Sequence, residues 1–423
     1  MIEWSEQHLM MRDAMRKFVE TEIKPNLEEL EHGDTPPYDV LRKMVRTFGI
    51  DAMQRARFEK QIAREKAALA AGANGESVEK PQANGNGNGT ARSGGDADGA
   101  ALQLIPIIEL CRYCPGMVTA MGVSAGLTAA SILSKGSIRQ KEKWALPLLT
   151  MEKIGSWAIT EPGSGSDAFG SMMSTAKRRG DGYVLNGSKT FITNGPYADT
   201  IVFICKLDEG NEPRERQVLH FVLDRGMPGL VQSKPLRKMG MHSSPTGQLF
   251  LEDVFVERER LLGESEEAAS RGGRAGAKAT FSMERSGVAA MALGIVSQCL
   301  ELCTEYARTR VQFGRPIGEF QLIQAKLAKM EVARMNLQNL VFRHIELSAQ
   351  GKGMSMTEAS ACKLYAAGAA VEVALEAVQL FGGNGYMAEY QVEQLARDAK
   401  VLQIYGGTDE IQISQIARNL LAH

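Results

Sequence analysis

The sequence predicts an α+β fold, mainly α, in three successive parts: a helical domain over 1–155, a β domain over 156–275 and a helical bundle over 276–423. Three observations predict it. Apolar residues recur at helical spacing in the first part, short strand-like runs separated by turn residues fill the second, and long apolar stripes return in the third. A chain of 423 residues is long enough for two or three such domains with a large core.

In the first part Met11, Met15 and Phe18 fall on one helical face, as do Leu41, Met44 and Phe48. Asp34-Thr35-Pro36-Pro37 marks the turn between those helices and gives the second a start signal. Residues 55–71 are charged and alanine-rich, good helix material with little apolar face, and 72–100 carry the tract ANGNGNGTARSGGDADGA. That tract buries too little apolar surface to offset its ordering entropy, so about 55–100 reads as a flexible surface insertion, with a cap over a ligand entrance as the alternative. The helical pattern resumes from Leu102 to about Glu152.

Gly180-Asp181-Gly182 followed by Tyr183-Val184-Leu185-Asn186-Gly187 reads as a hairpin. The runs 201–205, 218–223 and 248–256 read as further strands, which together suit an antiparallel barrel or sandwich. SRGGRAGAKA (270–279) reads as a linker. Beyond it Phe320, Ile323, Leu327, Met330, Leu337 and Val341 trace one stripe, and Leu364, Gly368, Val371, Leu375 and Val378 another, so long helices pack as a bundle.

Lys and Arg number 49 against 50 Asp and Glu, a net charge of −1 that gives no general attraction to nucleic acid or an anionic membrane. Among six cysteines Cys111-x-x-Cys114 is the only close pair that resembles a redox or zinc half-site, and no second pair with zinc spacing or histidine cluster completes a metal site. The thiols read as structural, in a reducing compartment. The N-terminus is charged from its third residue, and no apolar run approaches the roughly 18 residues a membrane span needs. A cytoplasmic protein without membrane partners is the expectation. No GxGxxG follows a strand, which argues against a Rossmann site.

Five segments carry chemistry. WAITEPGSGSDAFG (157–170) has glycines and a proline that let backbone amides and short hydroxyls approach a ligand, and TFITNG (190–195) follows it. ARTRVQFGRPIGEFQ (307–321) offers in Arg310 a planar donor fork suited to phosphate. Gln379 and LFGGNGY (380–386) add a double glycine, and QIYGGTDEIQISQIAR closes the chain. Alone, a Gly/Ser turn is far more often a plain loop, and a double glycine a helix cap. In combination the segments resemble the acyl-CoA dehydrogenases over nearly the whole chain except the 55–100 insertion.

That resemblance implies a middle β-barrel, a C-terminal four-helix bundle, FAD as cofactor and an acyl-CoA substrate. An electron-transfer flavoprotein would be the partner, and the chain a homo-oligomer, usually a tetramer. It sets Ile159, Thr160, Phe191 and Thr193 at the flavin ring and Ser166 at flavin or thioester. Arg310, Gln312, Phe313 and Gln321 grip the dinucleotide held by a neighbouring subunit, Gln379, Gly382 and Gly383 lie on the opposite side of that shared site, and Thr408 and Glu410 also belong to the cofactor site.

The residue after Tyr405 is the catalytic glutamate in many members of the family, and here it is Gly406, which cannot take a proton. In a branch that includes the long-chain and isovaleryl enzymes the base stands on a bundle helix just before an arginine, the place of Glu284-Arg285. A carboxylate beside an arginine on a helix is usually solvated or ion-paired. The apolar surroundings, Phe281 before it and GVAAMALGIV after, give this one a buried setting that needs a purpose. The resemblance makes Glu284 the α-proton base, with Phe281, Arg285, Tyr405 and Gly406 against the substrate. The reaction implied is α,β-dehydrogenation of the thioester, a hydride passing from the β-carbon to flavin N5. The enolate oxygen is held by a flavin ribityl hydroxyl and the backbone N–H that follows the tyrosine, which Gly406 still supplies. A flavin oxidase or monooxygenase on the same scaffold, which needs no α-proton base, is one rival. A non-catalytic flavin-binding protein is the other.

Overall fold

A computed structural model describes residues 3–73 and 95–422; within these, the side chains of 72–73, 95–98, 268–284 and 286 are not described. The N-terminal helices Glu6–Phe18 and Tyr38–Thr47 bury Met15, Phe18, Leu41 and Met44, the faces the spacing predicts. Helix Glu6–Phe18 starts on Ser5, whose hydroxyl accepts from the His8 N–H while the His8 ring accepts from the Ser5 N–H.

The middle of the chain is one curled seven-stranded sheet: β1 (Gly155–Ala158), β2 (Thr175–Arg179), β3 (Gly182–Thr193), β4 (Thr200–Leu207), β5 (Val218–Asp224), β6 (Leu230–Gln232) and β7 (Thr246–Glu257). β2 and β3 form the expected hairpin, Gly180 supplying the left-handed turn residue at φ 60°. β3 pairs antiparallel with β7, β7 with β6, and β4 with β5. One edge of β4 is shared end to end by β1 and β2, both parallel to it. All of β4 is buried, which suits its continuous apolar run.

The C-terminal part packs three long helices, Glu266–Thr309, Gln321–Ala349 and Met356–Phe381, with two shorter ones, Val392–Lys400 and Asp409–Leu421. The N-terminal helices share one core with this bundle: Met15, Leu41 and Met117 belong to the same cluster as Leu293, Val341 and Phe381. The sheet has its own core around Leu185, Phe203 and Phe221.

Four expectations need correction. The segment 270–279 is no linker, because the helix Glu266–Thr309 runs through it and through residue 275, the expected domain boundary. Alanine, arginine and lysine there outweigh glycines that each cost about 1 kcal/mol in a helix. Residues 55–73 are not a loose insertion either. They complete the helix Ile50–Ala73, whose Phe58 and Ile62 are buried with Trp144, Leu148, Trp157 and Ile159. Arg55–Glu152, Lys141–Glu65 and Lys66–Glu142 ion pairs flank that contact. Of the rest of the expected insertion, 74–94 lie outside the described residues, and Gly95–Cys111 is already helix.

The third correction concerns the second bundle stripe. The helix Met356–Phe381 buries its alanine-rich face (Ala359, Ala366, Ala370, Ala374 and Ala377), while Leu364, Gly368, Val371 and Val378 are half-buried and Leu375 is 55% exposed. The fourth is length: three helical stretches, Pro115–Lys135, Gly287–Thr309 and Met356–Tyr386, are long and apolar enough to cross a membrane by length and composition. In this fold 67% of the Gly287–Thr309 window is buried inside the protein, where it forms the centre of the bundle.

Candidate active site

The C-terminal signature folds as a tight glycine turn. Gly406 and Gly407 take φ 64° and 91°, left-handed values that favour glycine. The turn is entered through Tyr405, whose N–H donates to the Val401 carbonyl, and left through Thr408, whose hydroxyl accepts from the Ile411 N–H to cap the last helix. Arg285, buried on the first bundle helix, donates from Nε to the Gly406 carbonyl at 3.4 Å and from its guanidinium to Ser360 Oγ at 3.3 Å. Two segments 121 residues apart thus meet here. Tyr405 directs its hydroxyl to the Met291 sulfur of the same helix, at 3.4 Å. The side chains of Glu284 and Phe281 lie outside the described residues, but the backbone of both belongs to this helix, immediately before Arg285.

The ring-side segments are held by a buried ion pair. Ile159 and Thr160 follow β1, and the Thr160 carbonyl accepts from the Thr190 N–H, which ties the loop to β3. Lys189, fully buried on β3, donates to Glu161 Oε1 at 2.8 Å and to the Ile159 carbonyl at 3.1 Å. The other Glu161 contacts are the N–H groups of Met173 and Ser174. Burial would raise Glu161, but Lys189 and these donors outweigh it and hold the carboxyl below its ordinary range. Burial likewise pulls Lys189 down against the attraction of Glu161. Asn194, buried at φ 63°, donates to the Ala120 and Gly155 carbonyls and accepts from the Tyr38 hydroxyl, so it anchors the end of TFITNG to two other elements. Ser166 and Phe191 are exposed, and Thr160 and Thr193 half-buried.

A cleft of about 930 Å³ joins the two dinucleotide segments. Arg310, Gln312, Phe313 and Gln321 line it from one side, and Gly382 and Gly383 from the other. Tyr306 couples the two: its ring stacks on Phe381 at 4.0 Å and its hydroxyl accepts from the Asn384 amide. The expectation that these segments face one another across a subunit boundary is corrected, because both belong to one cleft of one chain. Ile159, Thr160, Ser166, Phe191 and Thr193 do not line it. Gln379 is exposed on the last helical turn and is not among its lining residues; Thr408 serves as a helix cap, and Glu410 is an exposed first-turn acid beside it.

The residues present fit a bound dinucleotide. A Cβ on Gly383, Gly163 or Gly165 would meet nothing within 4 Å, and none of the three has a positive φ. Neither packing nor backbone strain asks for glycine there, so the missing side chains leave room for a ligand. Phe313 and Phe191 are 94% and 69% exposed, both at positive φ (53° and 56°). A bulky residue held so costs about 1–3 kcal/mol and persists at functional surfaces.

Lys189 escaped the sequence reading, though a signal existed. Tyr183, Leu185 and Lys189 share the inward parity of β3, and a charge at an inward position demands a partner. Gln412 carried no such signal: it sits fully buried in a polar-looking terminal helix and holds the glycine turn from behind.

Models of the acyl-CoA dehydrogenase N-terminal, middle and C-terminal domains match residues 5–56, 156–254 and 271–421. The chain belongs to the acyl-CoA dehydrogenase family. It is 35% identical to a 3-(aryl)acrylate reductase of Clostridium sporogenes over 99% of both chains. Its fold is similar to butyryl-CoA dehydrogenase from Megasphaera elsdenii (TM-score 0.81, 33% identity, 99% of each chain). It is also similar to a structure described as the electron transferring flavoprotein of Acidaminococcus fermentans (TM-score 0.79, 31% identity, 100% of each chain). The protein is an FAD-dependent acyl-CoA dehydrogenase, an oxidoreductase acting on CH–CH.

Proposed function

We propose that Glu284 is the α-proton base of this dehydrogenase, working beside a Gly406 that supplies only backbone. The observation that supports this is the Arg285 contact with the Gly406 carbonyl, which brings the helix that carries Glu284 to the turn where the family resemblance sets the base of many members. The α-proton of a free thioester is far too weakly acidic for a carboxylate, so main-chain N–H groups of the glycine turn hold the developing enolate oxygen. Acyl chain against the bundle core desolvates the base and brings its affinity for a proton towards working pH.

Ile159, Thr160, Ser166, Phe191 and Thr193 hold the ring end of FAD, and Arg310, Gln312, Phe313, Gln321, Gly382 and Gly383 the dinucleotide end. Bound FAD supplies the acceptor for the β-hydride. Since the two groups of residues do not share a cleft in one chain, each FAD bridges two copies. The half-exposed apolar face of Met356–Phe381, with exposed Leu322, Val332 and Met335 on the preceding helix, supports an oligomer, a tetramer by family resemblance. The likeness to the Acidaminococcus structure supports an electron-transferring flavoprotein as acceptor.

Anaerobic mixing of the yellow holoenzyme with straight-chain, branched and arylpropionyl thioesters of CoA tests the activity. At least one member should bleach the flavin. Bleaching by none of them would sink the dehydrogenase reading.

A further inference from the structure

The glycine turn has a buried amide donor behind it, Gln412. Gln412 is fully buried on the helix Asp409–Leu421 and donates its amide to the Gly407 carbonyl at 2.8 Å and to the Gly406 carbonyl at 3.2 Å. Arg285 Nε approaches the Gly406 oxygen as well. Its own main chain is fixed to the same turn, the Gln412 N–H donating to the Thr408 carbonyl at 3.0 Å. A Cβ on Gly407 would come within 2.7 Å of the Gln412 amide nitrogen, so side chain and glycine are fitted to each other.

Both glycine carbonyls are therefore occupied, whereas among the described residues neither the Gly406 nor the Gly407 N–H has a hydrogen-bond partner. In a trans peptide the N–H points opposite to the C=O. Holding the Gly406 oxygen on the Gln412 side turns the Gly407 N–H the other way, one Cα beyond the Gly406 N–H. Among the described residues the turn thus leaves two successive N–H groups open to an anionic oxygen.

We infer that Gln412 is a positioning residue: by gripping the Gly406 and Gly407 carbonyls it aims the free N–H groups of the turn at the thioester oxygen. The inference rests on the thioester reading given above. It explains how a turn of two glycines, intrinsically the most mobile pair of residues, keeps an oxyanion donor in place without a side chain at 406.

The test uses the FAD-loaded enzyme and an acyl-CoA analogue that can lose its α-proton but cannot pass a hydride, such as a 3-thia-acyl-CoA. Its bound α-acidity is read from the long-wavelength band of the enolate against flavin. In Gln412→Met, equal in length but without a donor, that acidity should fall by about one to two pH units, with analogue affinity changed less than about threefold. Gln412→Glu provides a second arm. Its protonated acid donates one hydrogen bond and its carboxylate none, so flavin reduction should fall as pH rises through the carboxyl's titration, a step wild type lacks. Unchanged analogue acidity in Gln412→Met, or a Gln412→Glu profile that follows wild type, overturns the positioning role. A wild-type enzyme that binds the analogue without acidifying it would overturn the thioester reading itself.

Discussion

Gly406 has no side chain to give to chemistry at the place where the family resemblance sets a glutamate, yet its main chain is engaged with Arg285 and Gln412. A second constellation, remote in sequence, sets a pH dependence. Glu31 and Asp398 are buried at the junction of an N-terminal helix, the loop before β7 and the helix Val392–Lys400, faced by Lys238, His242, Ser243, Arg397 and Cys114. Burial first, and then the Asp398 carboxylate, push Glu31 up to about 8 from 4.5. The folded state therefore holds a proton that the unfolded chain has released. Stability from this group is full below about 4.5 and is lost as pH rises to about 8. Glu31→Gln should flatten that fall, so its Tm relative to wild type rises between about pH 5 and 8 by a few °C; a wild-type-like slope would dismiss the assignment. At this scale the sequence was legible where a residue type has one job. Arg285 reaches the glycine turn and Arg310 lines the cleft, whereas the partners of Glu31 and His242 come from distant segments that no local pattern announces.

Among the elements, the helix Ile50–Ala73 departs furthest from the sequence expectation. Its charged alanine-rich face hid a contact made by only two apolar side chains, Phe58 and Ile62, each 4% exposed. These belong to one buried cluster with Trp144, Leu148, Trp157 and Ile159, the last two leading into the ring-side loop. Phe58→Ala should cost about 3–5 kcal/mol and Ile62→Ala about 2–5 kcal/mol in chemical denaturation, because a cavity opens in that cluster. Losses under about 1 kcal/mol would mean that this helix merely rests on the surface. Strand runs, the hairpin and the bundle helices were legible from period and turn residues. The linker at 270–279 was misread because glycine count outweighed the alanine and charge content, and the second bundle stripe because leucine and valine were assumed to face inwards. The structure packs alanine there, which lets helices approach closely and leaves the larger residues for another surface.

The whole molecule combines a shared helical core, a curled sheet and a cleft lined by the segments around Arg310 and Gly382. Arg310 lines that cleft and makes no ion pair among the described residues, so it is available to phosphate. Arg310→Ala should weaken FAD retention by about 1.5–3 kcal/mol, roughly ten- to 150-fold, while the fold and subunit mass stay as in wild type. The protein should carry one FAD per chain and sediment as a dimer or tetramer. A monomer with full FAD would contradict the bridged site.

The relocated base is the central claim, and stopped-flow flavin reduction without oxygen tests it most directly. Glu284→Gln keeps size and hydrogen bonding but cannot accept the α-proton. Acyl-CoA should bind as before while reduction slows by roughly 10²–10⁴-fold. Adding Gly406→Glu to that variant should restore part of the rate, limited by the strain of a side chain at φ 64° and by a placement that must be right to about an ångström. Near-normal reduction by Glu284→Gln alone would remove Glu284 as the base.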